Sequence, residues 1–143
     1  GSLPLVFWLV CFARSKVGKD IGRLSLAPGL FNINEPVVFG LPIVLNPFLM
    51  IPYICAPVII AIFTYLTMRA GIFPAPSGLT ITWTTPYFIC GYLATGGKVG
   101  GLILQVINFL IAFFIWFPFI RAWDKNEVKK EQAEKELAAE AAA

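Results

Sequence analysis

Histidine is absent from this sequence of 143 residues, and charge is scarce: Asp, Glu, Lys and Arg together make up 13% of it. The first absence removes the Ser-His-Asp relay and the HExxH zinc site. The second removes an ordinary soluble domain, in which about a quarter of residues are charged. Cysteine occurs at Cys11, Cys55 and Cys90, far apart within apolar segments and without CxxC spacing. That pattern predicts neither a metal site nor a disulfide framework, and each thiol reads as a small hydrophobe. No cofactor is implied. The glycines before Lys98 do not form a phosphate loop, because GxxxxGK[ST] would place Tyr92 at its first glycine and Val99 at its Ser/Thr. No Asn-x-Ser/Thr sequon occurs. Acid is nearly absent from the middle of the sequence: between Asp20 and Asp124 the single acidic residue is Glu35.

What the sequence has instead is hydrophobicity. Apolar residues make up 58% and the mean hydropathy is +0.79. A soluble core of this length cannot hide so much apolar surface. The apolar stretches recur along the chain rather than sitting only at its start, so a cleaved leader does not explain them. The expectation is an all-α integral membrane protein. The net charge of +3 sits in clusters beside apolar segments, a membrane-topology pattern rather than a nucleic-acid footprint.

Leu3 to Ala13 is an apolar run too short to span a bilayer, which takes about 20 residues. It reads as the end of a helix or as a short interfacial piece. Arg14, Lys16, Lys19 and Arg23 follow as a basic cluster, and Leu24 to Asn34 is mixed. No charge occurs from Pro36 to Met68, but prolines recur at 36, 42, 47, 52 and 57. Each proline inside a helix removes a hydrogen bond and clashes with the preceding turn. One unbroken helix across Pro36–Pro57 is therefore not expected, and a spanning helix is predicted from about Pro52 to Met68. Residues 71–78 form a loop. Leu79 to Ala94 carries several threonines and Pro86, and reads as a strained helix or a re-entrant hairpin. Gly101 to Ile120 is uncharged throughout and is the clearest span, with Trp116, Pro118 and Trp123 marking its interfacial end.

Asp124 to Ala143 changes to Lys, Glu and Ala, with Glu131 and Lys135 at helical spacing. Two parts are expected: a membrane-embedded part, 1–123, and a solvated, charged helical tail, 124–143. With both basic ends cytoplasmic, the chain between them crosses an even number of times. Two full crossings, 52–68 and 101–120, satisfy that condition, while 36–50 and 80–93 dip in and return.

Glu35 stands in the stretch "LFNINEPVVFGLP". An ionised carboxylate at membrane depth costs at least ~2.5–3.5 kcal/mol and usually faces a cavity on a substrate or ion path. Asn32 and Asn34 add amide donors and acceptors, and Pro36 biases the residues before it toward extended backbone. Carboxylate, amides and bare backbone suit a polyhydroxy ligand, which needs many directional hydrogen bonds. The competing reading places Glu35 at the interface, with Asn34 as N-cap and Pro36 at the first position of a helix. That leaves Asn32 and Asn46 in the same apolar region without a role.

"PGLFNINEPVVFGLPIVLNPFLMIPY", followed by "WTTP" and ending in "FPFIRAW", resembles the enzyme IIC permease component of the bacterial phosphoenolpyruvate-dependent sugar phosphotransferase system, lactose/cellobiose/diacetylchitobiose type. The resemblance covers roughly residues 20–123 and implies a partial permease fold, the C-terminal part of a sugar-binding half. It implies that Glu35 lies at a disaccharide, with Asn34 and Asn32 as neighbours; Glu35 is the candidate base, the alternative being that it only accepts a hydrogen bond from a sugar hydroxyl. Asn46, Trp83, Thr84 and Thr85 are further candidate sugar contacts, with Thr82 beside them. The implied partners are the sugar, a cytoplasmic IIB protein carrying a phosphocysteine, the lipid membrane and, in the full-length permease, a second copy of the chain. The implied location is the bacterial inner membrane. Family members also use a histidine upstream of this region, which this sequence lacks; the segment alone is expected to be inactive. None of the three cysteines sits in a phosphocysteine loop. Two other readings compete: an ion-coupled secondary transporter, whose broken helices and lone acid would serve a cation, and a structural membrane subunit without a ligand.

Overall fold

The computed structural model describes residues 2–141. It contains α1 (Leu3–Phe12), α2 (Lys16–Leu30), α3 (Glu35–Gly40), a 3-10 turn at Ile43–Leu45, α4 (Pro47–Arg69), α5 (Tyr87–Ala94) and α6 (Val99–Ala141), with no strand among the described residues. Gly1 and the last two alanines of the expected tail lie outside the described residues.

α1 opens with Pro4 in its first turn, where a missing N–H costs nothing. Six of its residues, including Leu5 and Leu9, are buried. Through this face it packs against α2 and α6, while Phe7, Val10 and Phe12 remain exposed. The mixed segment of the sequence is helical as far as Leu30: α2 runs into it from the N-cap Ser15, whose hydroxyl accepts from Gly18 N at 3.1 Å. The buried face of α2 is Gly18, Gly22, Ser25 and Gly29, a stripe of small residues at helical spacing. Small residues let helix backbones approach closely. A Cβ on Gly22 would lie 2.9 Å from Leu9 Cβ and 3.0 Å from Val10 N.

The prolines sort by position. Pro36 falls in the first turn of α3 and Pro47 opens α4. Asn46 caps α4, its side-chain oxygen accepting from Phe48 N at 3.1 Å. Pro52 and Pro57 lie inside α4. The span therefore begins at Pro47, earlier than the expected Pro52, because a capped proline at the first position is favourable and the two interior prolines are tolerated in an apolar helix. The chain breaks instead at 41–46, which keeps Pro36–Pro57 from being one helix.

Residues 77–94 leave the bundle and return. Ser77 N donates to Ala94 O at 2.8 Å, so the ends of the excursion meet. Its outward limb is irregular and its return limb is α5, which starts directly after Pro86. Of the two readings of this segment, the hairpin fits and the strained helix does not. α5 crosses α6 where Gly91 faces Gly101, with each backbone carbonyl occupying the space a Cβ on the other would need.

α4 and α6 are each long and apolar enough to cross a membrane. They run antiparallel: Phe48 meets Phe119 with ring centroids 5.1 Å apart, and Asn108 Nδ2 donates to Thr64 Oγ1 at 2.9 Å. The core gathers at one end, where Leu5, Leu9, Val37, Ile43, Leu49 and Ile120 are fully buried. Much of α4 beyond that core is exposed, Ile54, Val58, Ile62 and Leu66 included.

The expected boundary at 123/124 is not a structural one, since α6 passes through it unbroken with Pro118 inside. Nor is the start of the tail solvated. Asp124 is only 4% exposed. Its carboxylate accepts from Arg14 N at 2.9 Å, Ser15 N at 3.0 Å and Ser15 Oγ at 2.6 Å. Glu131 accepts from Lys16 N at 3.1 Å and Val17 N at 3.0 Å. These two acids satisfy N–H groups that the head of α2 would otherwise leave bare. Glu131 is thus committed to α2, and the ion pair nearby is Lys130–Glu127 at 2.6 Å rather than Glu131–Lys135. Both basic clusters consequently lie at the same end of the molecule.

Candidate functional site

The connection between α2 and α3 carries the site. Asn32 has φ of 62°, a left-handed conformation that asparagine tolerates better than most residues. Its Nδ2 donates to Thr85 O at 2.8 Å and Trp83 O at 3.4 Å. The tip of the 77–94 hairpin is thereby held against the Asn-Glu-Pro segment, so the structure brings Asn32, Trp83 and Thr85 together. Thr84 lies between those contacts and is half-buried like Thr85, whereas Trp83 and Thr82 are exposed.

Asn34 occupies the N-cap position of α3 but makes no cap bond. Its Oδ1 instead accepts from Ser2 Oγ at 2.6 Å and Ser2 N at 3.3 Å. Asn34 is in the right-handed helical region and Glu35 is already helical. The extended geometry expected ahead of Pro36 does not occur: a proline in the first turn loses no bond and lets the helix begin before it. Glu35 is exposed on the surface of this chain. Its negative charge in the first turn of α3 suits the helix dipole.

Beside Asn34 lies a cavity of about 260 Å³ bounded by Ser2, Asn34, Tyr53, Ala56, Pro57 and Trp116. Ala56 and Pro57 are about 15 Å along α4 from Pro47 at the usual helical rise. The cavity is therefore well inside a membrane-length helix. Its lining combines an amide, a hydroxyl and two aromatic side chains with aliphatic walls, which suits a small polar ligand presenting both ring faces and hydroxyls. It falls below the roughly 300–1,000 Å³ of pockets for drug-sized ligands. Among the described residues no group of acids and thiols could hold a metal ion.

Ser2, Tyr53 and Trp116 were not legible as site residues. Trp116, expected at a membrane interface with Trp123, is buried inside the protein, as is Trp123. Tyr53, Ala56, Pro57 and Ile60 share one face of α4, a signal visible once the helix is known to start at Pro47. Asn46 does not join this group, because its side chain is spent on the α4 cap. A larger cavity of about 570 Å³ lies elsewhere, against Trp8, Arg14, Arg121 and Asp124, and shares no residue with the Asn-Glu-Pro segment.

Residues 2–57 match the family model described as "Phosphotransferase system, EIIC". The chain is 48% identical over 141 residues to the oligo-beta-mannoside-specific EIIC component of Bacillus subtilis (strain 168), covering 97% of this chain and 32% of that protein. It is 49% identical over 142 residues to the cellobiose-specific EIIC component of Geobacillus stearothermophilus, covering 99% of this chain and 32% of that protein. Its fold is similar to the crystal structure of the transporter ChbC, the IIC component from the N,N'-diacetylchitobiose-specific phosphotransferase system. The TM-score is 0.90 and the identity 51%, over 92% of this chain and 30% of the other. The chain spans about a third of the length of these relatives.

Proposed function

We propose, from its similarity to phosphotransferase-system EIIC components, that the chain forms part of the sugar-binding half of a permease. The permease takes up a disaccharide of the cellobiose, lactose or chitobiose kind, which a partner IIB protein phosphorylates. The observation that carries this reading is the Asn32–Glu35 segment itself. It is tied to the 77–94 hairpin and stands beside a polar, aromatic cavity at the depth of Ala56 in α4. Substrate sites of transporters commonly form near the bilayer midplane from broken helices.

The roles divide by chemistry. Glu35 accepts a hydrogen bond from a sugar hydroxyl, and Asn34, its Oδ1 engaged by Ser2, offers its amide protons. Trp83, Thr84 and Thr85 approach from the hairpin. As the hydroxyl oxygen bonds to phosphorus, the S–P bond of the partner's phosphocysteine breaks, the thiolate leaves and the hydroxyl proton passes to Glu35. Most of the acceleration comes from holding the reactants together in the right orientation. The full permease sits in the bacterial inner membrane as a multi-pass protein, as a homodimer, with both basic ends of this segment cytoplasmic.

The ion-coupled transporter and the ligand-free subunit find no support in the matched relatives, which are EIIC components. Glu35→Gln in the full-length permease tests the reading. Uptake and phosphorylated product should fall sharply while assembly in the membrane is retained. Unchanged disaccharide affinity and uptake would remove Glu35 from the site.

A further inference from the structure

The larger cavity has a different chemistry from the Asn34 pocket. Its walls are aromatic: Trp8, Phe12 and Phe117 line it, with Trp8 edge-on to Phe117 at 6.5 Å between centroids and 6.2 Å from Phe12. Its rim is cationic, formed by Arg14, Arg121 and Lys125. The Arg121 guanidinium carbon stands 5.9 Å from the Phe117 centroid, which holds that side chain at the mouth. The one acid on the lining is Asp124, and its oxygens already serve Arg14 N, Ser15 N and Ser15 Oγ. Among the described residues none of the three cationic side chains is in an ion pair. The cavity thus presents three exposed cations against one carboxylate that is occupied elsewhere.

Its position gives the charges meaning. Arg121 is the first charged residue after the uncharged stretch 101–120 of α6. Phe117, Arg121, Lys125 and Val128 lie on one face of that helix at intervals of three or four residues. The apolar walls therefore reach toward the span and the cations mark its end. A soluble phosphate would use the rim and leave the aromatic cleft unfilled. A phospholipid uses both, since basic pockets between helices at a membrane surface receive anionic head groups. Arginine adds bidentate hydrogen bonds to phosphate oxygens.

We propose that this cavity binds one anionic phospholipid, its phosphate held by Arg14, Arg121 and Lys125 and an acyl chain lying against Trp8, Phe12 and Phe117. The proposal rests on the reading that α6 crosses the bilayer; it does not depend on the sugar or on Glu35. The lipid would anchor α1 to α6 where Asp124 fastens α2, and so brace the end of the bundle nearest the core.

The test uses the full-length permease in nanodiscs of phosphatidylcholine with and without phosphatidylglycerol, followed by detergent release and native mass spectrometry. Phosphatidylglycerol should remain bound after phosphatidylcholine has been stripped. The double variant Arg121→Gln, Lys125→Gln should retain it about 30-fold less well. Phe12→Ala should weaken retention of long-chain lipid while leaving the preference for the anionic head group. Millimolar inorganic phosphate should not displace the lipid. Displacement by phosphate alone, or glycerophosphate binding as well as the lipid, would reassign the rim to a soluble anion and overturn the proposal. So would equal retention by the double variant, or crosslinking from position 12 to protein rather than lipid. Lipid retention should be unchanged in Glu35→Gln and sugar affinity unchanged in the double variant, so each reading can fail without the other.

Discussion

Replacing Asp124 by alanine is the sharpest perturbation of the clasp between α6 and α2. The carboxylate accepts three hydrogen bonds, from Arg14 N, Ser15 N and Ser15 Oγ, and is almost fully buried. Hydrogen bonds to a charged group contribute about 1.5–3 kcal/mol, and each buried donor left without a partner costs about 1–3 kcal/mol. The terms do not add in full. Glu131 still holds Lys16 N and Val17 N. A net local destabilisation of about 3 kcal/mol follows, or roughly a hundredfold in the opening equilibrium of the α2 head. Amide hydrogen exchange followed by mass spectrometry on peptides covering residues 14–19 reads this directly. Exchange there should accelerate about a hundredfold in Asp124→Ala, while peptides from the middle of α4 keep their wild-type rates. Asp124→Asn, which retains one acceptor oxygen, should fall between the two. Wild-type exchange at residues 14–19 in the alanine variant would show that the three bonds contribute nothing to the α2 head, and the account of how α6 holds α2 would fail.

Glu131 supplies the acid-sensitive part of the same clasp. The backbone N–H groups of Val17 and then Lys16 hold its carboxyl below its ordinary value of 4.5. A depressed carboxylate contributes stability that is present above the ordinary value and is lost as pH falls through the folded one. Melting temperatures of wild type and Glu131→Gln in detergent should therefore differ above pH 4.5 and converge on further acidification; a constant gap would refute this. Gly101→Ala should separate α5 from α6, because the new methyl group meets Gly91 O and Thr95 Oγ1; a thermal stability equal to wild type would contradict that crossing. Asn32→Gly keeps the left-handed backbone but loses the amide tie to Thr85 O, so limited proteolysis should cut the hairpin near Trp83 sooner. Asn108→Leu should cost under about 1 kcal/mol despite breaking the Thr64 bond, since interhelical hydrogen bonds in membranes average about 0.6 kcal/mol.

The two spans were legible because long uncharged, largely apolar stretches admit few other uses. The start of α4 was not, because a proline count carries no position: Pro47 favours the helix that Pro52 and Pro57 merely strain. α2 was hidden for a different reason. Its buried face is glycine and serine, which hydropathy scores as indifferent although close packing depends on it. The Asn-Glu-Pro segment stood out through its isolated charge, but its partners did not. Asn32 reaches a carbonyl 53 residues away, and Ser2 reaches Asn34 across 32 residues. Asp124 was misread because an acid opening a Lys-Glu-Ala tail looks solvated, while its donors lie about 110 residues earlier.

Asp124 and Glu131 are seven residues apart on one helix, close to two full turns, and together they meet residues 14–17, the approach to α2 and its first turn. One residue gained or lost between them would swing Glu131 about 100° around α6 and away from Val17. This interval should therefore accept exchanges of its outward side chains but not insertions or deletions. Past Glu131 the restriction lifts, and related proteins are free to differ in how far the helix runs.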